Sequence, residues 1–282
     1  MLPLDPIERL CDRIELVLVN HVLEYRVSPV LDLGQGSIDG IASRKIGEGI
    51  RHDTQHITSS EPDAMSDSDM ACRLPLDHLV YAVPDLAAAI EMFRTRLGHA
   101  PTRGGHHPGL GTHNAILPLR GGSYVELIAR DPRAPDPAGP RPFGLDTLTS
   151  SRLVTWAARS RAIERDVTRA RNASFDPGPI LEMKRRGPDG RSLRWKLSLR
   201  SPPFGDGLVP FLIDWGESPH PATHTPPGPI AVELVRFAGR HPDTTRIGAA
   251  LEALGARLPI VGSDEIGLEA ELVSPSGRLV LD

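Results

Sequence analysis

The chain has 282 residues, with 32 Lys and Arg against 36 Asp and Glu, for a formal net charge of -4. That near-balance excludes an electrostatic case for nucleic acid or an acidic membrane surface, and no apolar run approaches the length of a membrane span. Aromatics make up only 4% of a chain with 28 prolines and 27 glycines, a composition that favours short elements, many turns and a β-rich architecture over a helical bundle.

Residues 1–70 form an N-terminal extension outside the pattern that follows. Residues 6–27 carry Ile7, Leu10, Ile14, Val17 and Val22 at loosely helical spacing, while residues 32–69 are polar with no sustained apolar period, which reads as a linking or disordered segment. The polar lead before the first strand gives an expectation that the physiological start is Met65 or Met70; the alternative is an accessory helix that packs on the domain or a partner.

Residues 76–83 read as a strand, with apolar alternation and β-branched and aromatic side chains. Pro84 and Asp85 end it and cap a helix at 87–97, where Leu86, Ile90, Phe93 and Leu97 recur at helical spacing before Gly98 stops it. Residues 112–119 and 123–129 read as two strands joined by the Arg120-Gly121-Gly122 turn. Because strand side chains alternate between faces, His78 shares a face with Val80 and Ala82, and Glu126 one with Tyr124 and Ile128. The opposite, fully apolar faces belong against the helix. His78 and Glu126 therefore point to the open face, and an imidazole with a carboxylate there is half of a divalent metal site.

Three stretches carry a resemblance: Leu76-Asp77-His78-Leu79-Val80, the Gly104-Gly105-His106-His107-Pro108-Gly109-Leu110-Gly111-Thr112-His113-Asn114 run, and Tyr124-Val125-Glu126-Leu127. They resemble the glyoxalase-like domain of the vicinal oxygen chelate superfamily, and the likeness spans roughly residues 76–215. It implies an α+β fold in which paired βαβββ modules form a cupped, mostly antiparallel sheet with helices on its convex side. It also implies a divalent metal ion (Zn, Ni, Mn or Fe) held by His78 and Glu126. Reaction type does not follow, because the superfamily includes isomerases, dioxygenases, epimerases, thiol transferases and non-catalytic sequestering proteins.

A proline-dense connector, residues 133–142, leads to a second unit. It has a strand at 152–158, a helix at 160–170, a strand at 191–199 after the turn at 187–190, and a buried strand at 209–215. The superposed first strand offers Leu153 where the first unit has His78, which cannot ligate. The closing strand offers Ile213 or Asp214 opposite Glu126 according to a one-residue register choice. After a connector at 220–229 a third, degenerate unit follows within 228–282, with strands at 230–237, 258–261, 268–273 and 278–281 and a helix at 244–254. Packing explains that unit best; its functional reading is a lid or a homodimer contact.

Each candidate residue has a bland reading beside the functional one. His78 fits a satisfied histidine beside Asp77 as well as a metal or substrate contact. Glu126 is costly inside an apolar run without a partner, so it is expected to face a cavity, as metal ligand and proton-moving group. His106 and His107 are surface loop histidines on the bland reading, His107 being the one that matches the family's His-Pro dipeptide as a substrate contact. His113 falls on the structural face. Asn114 and Tyr124 are substrate-lining candidates, and Asp214 is either a third metal ligand or a strand-end cap. The basic string Lys184-Arg185-Arg186 with Arg191 and Arg194 reads as a solvated hairpin, with an anionic-substrate clamp as the sharper alternative.

No dinucleotide loop, serine-hydrolase elbow or cysteine-protease pattern is present, since Gly109-Leu110-Gly111 lacks the strand-turn-helix setting. Cys11 and Cys72 form neither a disulfide framework nor a zinc cluster, which points to a reducing, cytoplasmic setting. Two function classes stay open: a metal-dependent lyase, isomerase or dioxygenase acting on a small molecule with adjacent oxygens, or a metal-free cup that sequesters a small molecule.

Overall fold

The computed structural model of the chain describes residues 73–186, 192–223 and 231–282. The expectations for residues 1–70, the turn at 187–190 and most of the connector at 220–229 lie outside them.

The first unit is β1 (Leu76–Ala82), α1 (Leu86–Leu97), β2 (Thr102–His107), β3 (Thr112–Pro118) and β4 (Tyr124–Arg130). Asp85 caps α1 by accepting from the amides of Ala87 and Ala88 at 2.8 and 3.0 Å, and Gly98 at φ 69 ends it. The helix buries Leu86, Ala89, Phe93 and Leu97 on one face, against Leu79, Tyr81 and Val83.

The second unit repeats the order: β5 (Arg152–Arg159), α2 (Ile163–Asn172), β6 (Ile180–Arg186), β7 (Ser192–Ser198) and β8 (Phe211–Asp214). In α2, acidic Glu164 and Asp166 sit in the first turn and basic Arg169 and Arg171 in the last, the arrangement the helix dipole favours.

Together the two units form one eight-stranded mixed sheet in the order β2-β3-β4-β1-β5-β8-β7-β6. β1 runs parallel to β4 and β5 parallel to β8; the remaining neighbours, including the central β1–β5 pair, are antiparallel. The sheet curls until its edges approach, so that a Cβ added to Gly105 on β2 would lie 2.3 Å from Arg185 Nη1 on β6. That close approach explains the glycines of β2, which read as a loop in the sequence and are in fact an edge strand.

The C-terminal unit is β9 (Glu233–His241), α3 (Thr244–Leu254), β10 (Ile260–Gly262), β11 (Gly267–Ser274) and β12 (Gly277–Leu281). The order of elements is again βαβββ, but the pairing differs. Its separate sheet runs β10-β9-β11-β12, with the strand after the helix beside the first strand, a position that the last strand takes in the other two units. This unit covers the convex, helical side of the main sheet. Backbone bonds tie it there, from Leu153 N to Asp282 O at 2.6 Å and from Arg120 N to Val232 O at 2.8 Å. Trp156 on β5 meets Phe237 on β9 edge-on at 5.5 Å, and one continuous apolar core runs from Leu79 and Phe93 through Trp156 and Leu208 to Leu268, Leu272 and Leu281.

Candidate functional site

The concave face is lined partly by the chain's own apolar side chains. Ile116, Tyr124, Ala157, Ile213, Trp215 and Ala222 form one cluster, and Val80, Ala82, Ile128, Leu145 and Val154 another, with Phe211 packed against both. His78 and Glu126 lie on this face.

β1 and β5 slip register between Leu76 and His78, leaving Asp77 as an extra residue. Such a bulge re-aims a side chain, and here the fully buried Asp77 turns toward its neighbour, where Oδ1 stands 2.8 Å from His78 Nδ1. Its other oxygen, Oδ2, accepts from Arg159 Nε at 2.7 Å and lies 3.1 Å from His220 Nε2, while Trp215 Nε1 donates to the carboxylate at 3.3 Å. Burial would raise the Asp77 pKa, but the hydrogen bonds from His220 and His78 hold it far below the usual carboxylate range. An ionised Asp77 fixes the proton of His78 on Nδ1 and leaves Nε2 facing the cup.

His78 Nε2 is 3.7 Å from Glu126 Oε2, and its ring stacks on Tyr124 with centroids 4.6 Å apart. Glu126 Oε1 accepts from Asn114 Nδ2 at 2.5 Å, and Asn114 Oδ1 accepts from Gly105 N at 2.8 Å. His107 Nδ1 lies 3.0 Å from Thr112 Oγ1; burial drives the His107 pKa down, with the Glu126 charge opposing. Tyr124 is buried beside Asp77 and Glu126, and both burial and those charges push its phenol well above its ordinary value. The structure thus brings His78, Glu126, Asn114, Tyr124 and His107 together.

Asp214 does not join them. β8 turns Ile213 into the concave cluster, and Asp214 points the other way, accepting from Ile163 N at 3.3 Å and Gly216 N at 2.9 Å. The register question closes in favour of Ile213, and the carboxylate acts as a cap at the start of α2. β5 and β8 present Ala157, Phe211 and Ile213 to the cup, none of which can ligate a metal. A first-row divalent ion resident on a protein takes three or four protein ligands, and here His78 and Glu126 supply two. The donor set at this pair does not fit a resident metal.

The three-ligand cluster lies elsewhere. Among the described residues one group of three has metal-ligand atoms all within 4.8 Å of one another: His106, His113 and Asp131. They line a cavity of about 850 Å³ at the start of α1, together with Asp85, Arg103, Arg130 and Arg133. Asn114 and Gly105 also border that cavity, so the polar chain from Glu126 reaches its wall.

Sequence reasoning missed Arg159 and His220 as members of the cup's network, named Asp77 only as a neighbour of His78, and offered Arg185 only within a basic string whose sharper alternative was an anionic-substrate clamp. A carboxylate beside a strand histidine normally faces away from it, and only the bulge reverses this. Arg185 read as a solvated charge, yet its Nη1 is buried with no hydrogen-bond partner among the described residues. The position of β6 opposite β2 has no local sequence signal.

The fold and cup define a glyoxalase-like protein. The sequence profile described as a glyoxalase-like domain matches residues 76–255, well over half of the chain, and the chain belongs to that family. Similar solved structures include a hypothetical protein from Staphylococcus aureus (11% identity, covering 73% of this chain and 85% of that one, TM-score 0.46). Methylmalonyl-CoA epimerase from Mycobacterium tuberculosis has 21% identity over 52% of this chain and 91% of its own, with a TM-score of 0.37. The methylmalonyl-CoA epimerase of Streptomyces coelicolor, seen with 2-nitronate-propionyl-CoA, has 20% identity over 53% and 99%, with a TM-score of 0.38. No curated protein matches the chain. Among the described residues no helix is long and apolar enough to cross a membrane.

Proposed function

We propose that the chain is a small-molecule enzyme that moves a proton on an anionic substrate bearing adjacent oxygens, with Glu126 as the group that takes the proton. The observation that carries this reading is the line from buried Asp77 through buried His78 to partly exposed Glu126, in which a fixed carboxylate orients an imidazole whose free nitrogen faces a second carboxylate at 3.7 Å. A proton drawn from a substrate carbon by Glu126 is shared with His78 Nε2, and the imidazolium that forms is stabilised by Asp77 across the ring. Its return to the substrate at a different position or face completes an isomerisation. Asn114, donating to Glu126 Oε1, holds the carboxylate in place.

Arg185 supports an anionic substrate. Its buried Nη1, without a partner among the described residues, costs on the order of 1–3 kcal/mol, which a carboxylate or phosphate oxygen would recover. The second reading, metal-free sequestration, draws on the ring-rich lining of Tyr124, Phe211, Trp195 and Trp215.

The test is incubation of the purified protein in D2O with a panel of 2-oxo and malonate-type acids, followed by proton NMR. Enzyme-dependent exchange of the proton beside the carbonyl in at least one acid is the expected result. Binding of these acids without exchange would leave sequestration as the function.

A further inference from the structure

We propose that His106, His113 and Asp131 bind a divalent transition-metal ion, and that the ion with Arg103, Arg130 and Arg133 forms a second small-molecule site, for a carboxylate or phosphate ligand, separate from the cup. The three ligands come from three consecutive neighbours of one sheet. His106 on β2 pairs directly with His113 on β3, and His113 pairs with Ala129 on β4. Side chains two apart along a strand share a face, so Asp131, just past the end of β4, falls on the same side as Ala129 and His113. The opposite side of β3 carries Asn114, which reaches into the cup. β3 therefore separates the two sites, and the new one is on the side of α1.

The arrangement has the parts of a metal centre open on one side. His106 Nδ1 lies 2.6 Å from Asp131 Oδ2, a contact that holds a proton now and that a cation would replace, since bound metals displace protons from their ligands. The second oxygen of Asp131 accepts from Arg133 N at 3.0 Å, which fixes the carboxylate in the way outer partners orient metal ligands. Asp131 is buried whereas His106 is exposed, so an ion held there has protein behind it and open coordination positions in front. Two histidines and one carboxylate on one face, with open positions, suit Zn, Fe(II), Co or Ni better than the hard cations Mg and Ca. The open side gives onto the cavity of about 850 Å³, whose wall carries the three arginines. A cation and three arginines outnumber Asp85 in the lining, although Arg130 Nη2 also meets Asp136 Oδ1 at 3.2 Å, so the cavity favours an anion, and a ligand with two oxygens can chelate the ion while Arg binds its charge.

The test uses untagged full-length protein, stripped with a chelator and titrated with Co2+, whose absorption reports ligand number and geometry. Wild type is expected to bind one Co2+ per chain, and Glu126→Gln to bind it equally well, which separates this site from the cup. Asp131→Asn, which keeps the shape, and His113→Ala should each weaken binding by about 100-fold or more, since even outer partners are worth 10- to 100-fold. Thermal midpoints recorded without metal establish that both variants are folded. Adding oxalate or inorganic phosphate should change the cobalt spectrum of wild type, and Arg133→Ala should weaken that response. No stoichiometric cobalt in wild type, or equal binding by Asp131→Asn, would reduce the cluster to a surface ion pair and overturn the proposal. A cobalt spectrum indifferent to both anions would overturn its ligand half.

Discussion

Across the parallel strands β1 and β4, His78 Nε2 stands 3.7 Å from Glu126 Oε2 while the far side of the same ring is held by Asp77 at 2.8 Å. The imidazole is thus set between two carboxylates with different surroundings. Asp77 is fully buried among two histidines, an arginine and a tryptophan, and it is fixed; Glu126 is partly exposed and, among the described residues, rests on a single amide donor. One carboxylate orients, the other is free to exchange a proton.

Asp77→Asn keeps the shape of the side chain but removes the charge that Arg159, His220 and His78 share. Breaking one partner of a buried ionic cluster places the loss at about 3 kcal/mol, near the low end because Arg159 is partly solvated. The sign with pH follows from the depressed pKa. The carboxyl is held below its ordinary 3.8 in the fold, so its stabilisation is complete above that value and is lost as the pH falls through the folded pKa. Urea unfolding midpoints of wild type and variant should differ most at neutral pH and converge under strong acid. A difference independent of pH would contradict the ionised Asp77.

Arg185→Gln removes a guanidinium whose buried Nη1 has no hydrogen-bond partner among the described residues. The ligand-free protein should melt within a few degrees of wild type, because the buried Nη1 contributes no hydrogen bond among the described residues. Binding of small carboxylates in the cup, measured by calorimetry, should weaken roughly tenfold or more, the worth of one charge-assisted hydrogen bond. A large drop in stability without any change in binding would make Arg185 a structural residue.

Trp156 joins the main sheet to the third unit, with Nε1 donating to Leu208 O at 2.9 Å and its ring against Phe237. Trp156→Ala should cost about 3–5 kcal/mol, as for other large-to-small changes in a core. Because the core is continuous, denaturation followed by fluorescence and by circular dichroism should give one shared transition in wild type. Two separated transitions would show that the third unit folds alone.

Much of the fold was legible in the chain, because period 2 in β1 and β4 and the spacing of Leu86, Phe93 and Leu97 in α1 are local signals. The faces of His78 and Glu126 followed from the same alternation. What escaped were features set by distant chain. Gly104 and Gly105 read as a loop, but they lie in a strand paired with β3, where a side chain at either position would meet Asn114 or Arg185 from other elements. Arg185 read as a surface charge because its burial arises only when the two sheet edges meet. Asp214 was offered as a ligand, and a one-residue register choice, invisible locally, turned it to α2. His106 and His113 sit seven positions apart in the sequence but directly opposite across a tight β2–β3 connection, so reading the β2 strand as a loop hid their pairing.

The most direct test of proton transfer in the cup is the split between binding and exchange in Glu126→Gln, measured on whichever acid wild type exchanges in D2O. The account predicts binding within a few-fold of wild type and an exchange rate lower by about 100-fold or more, the usual contribution of a general base. Exchange at the wild-type rate in Glu126→Gln would contradict it.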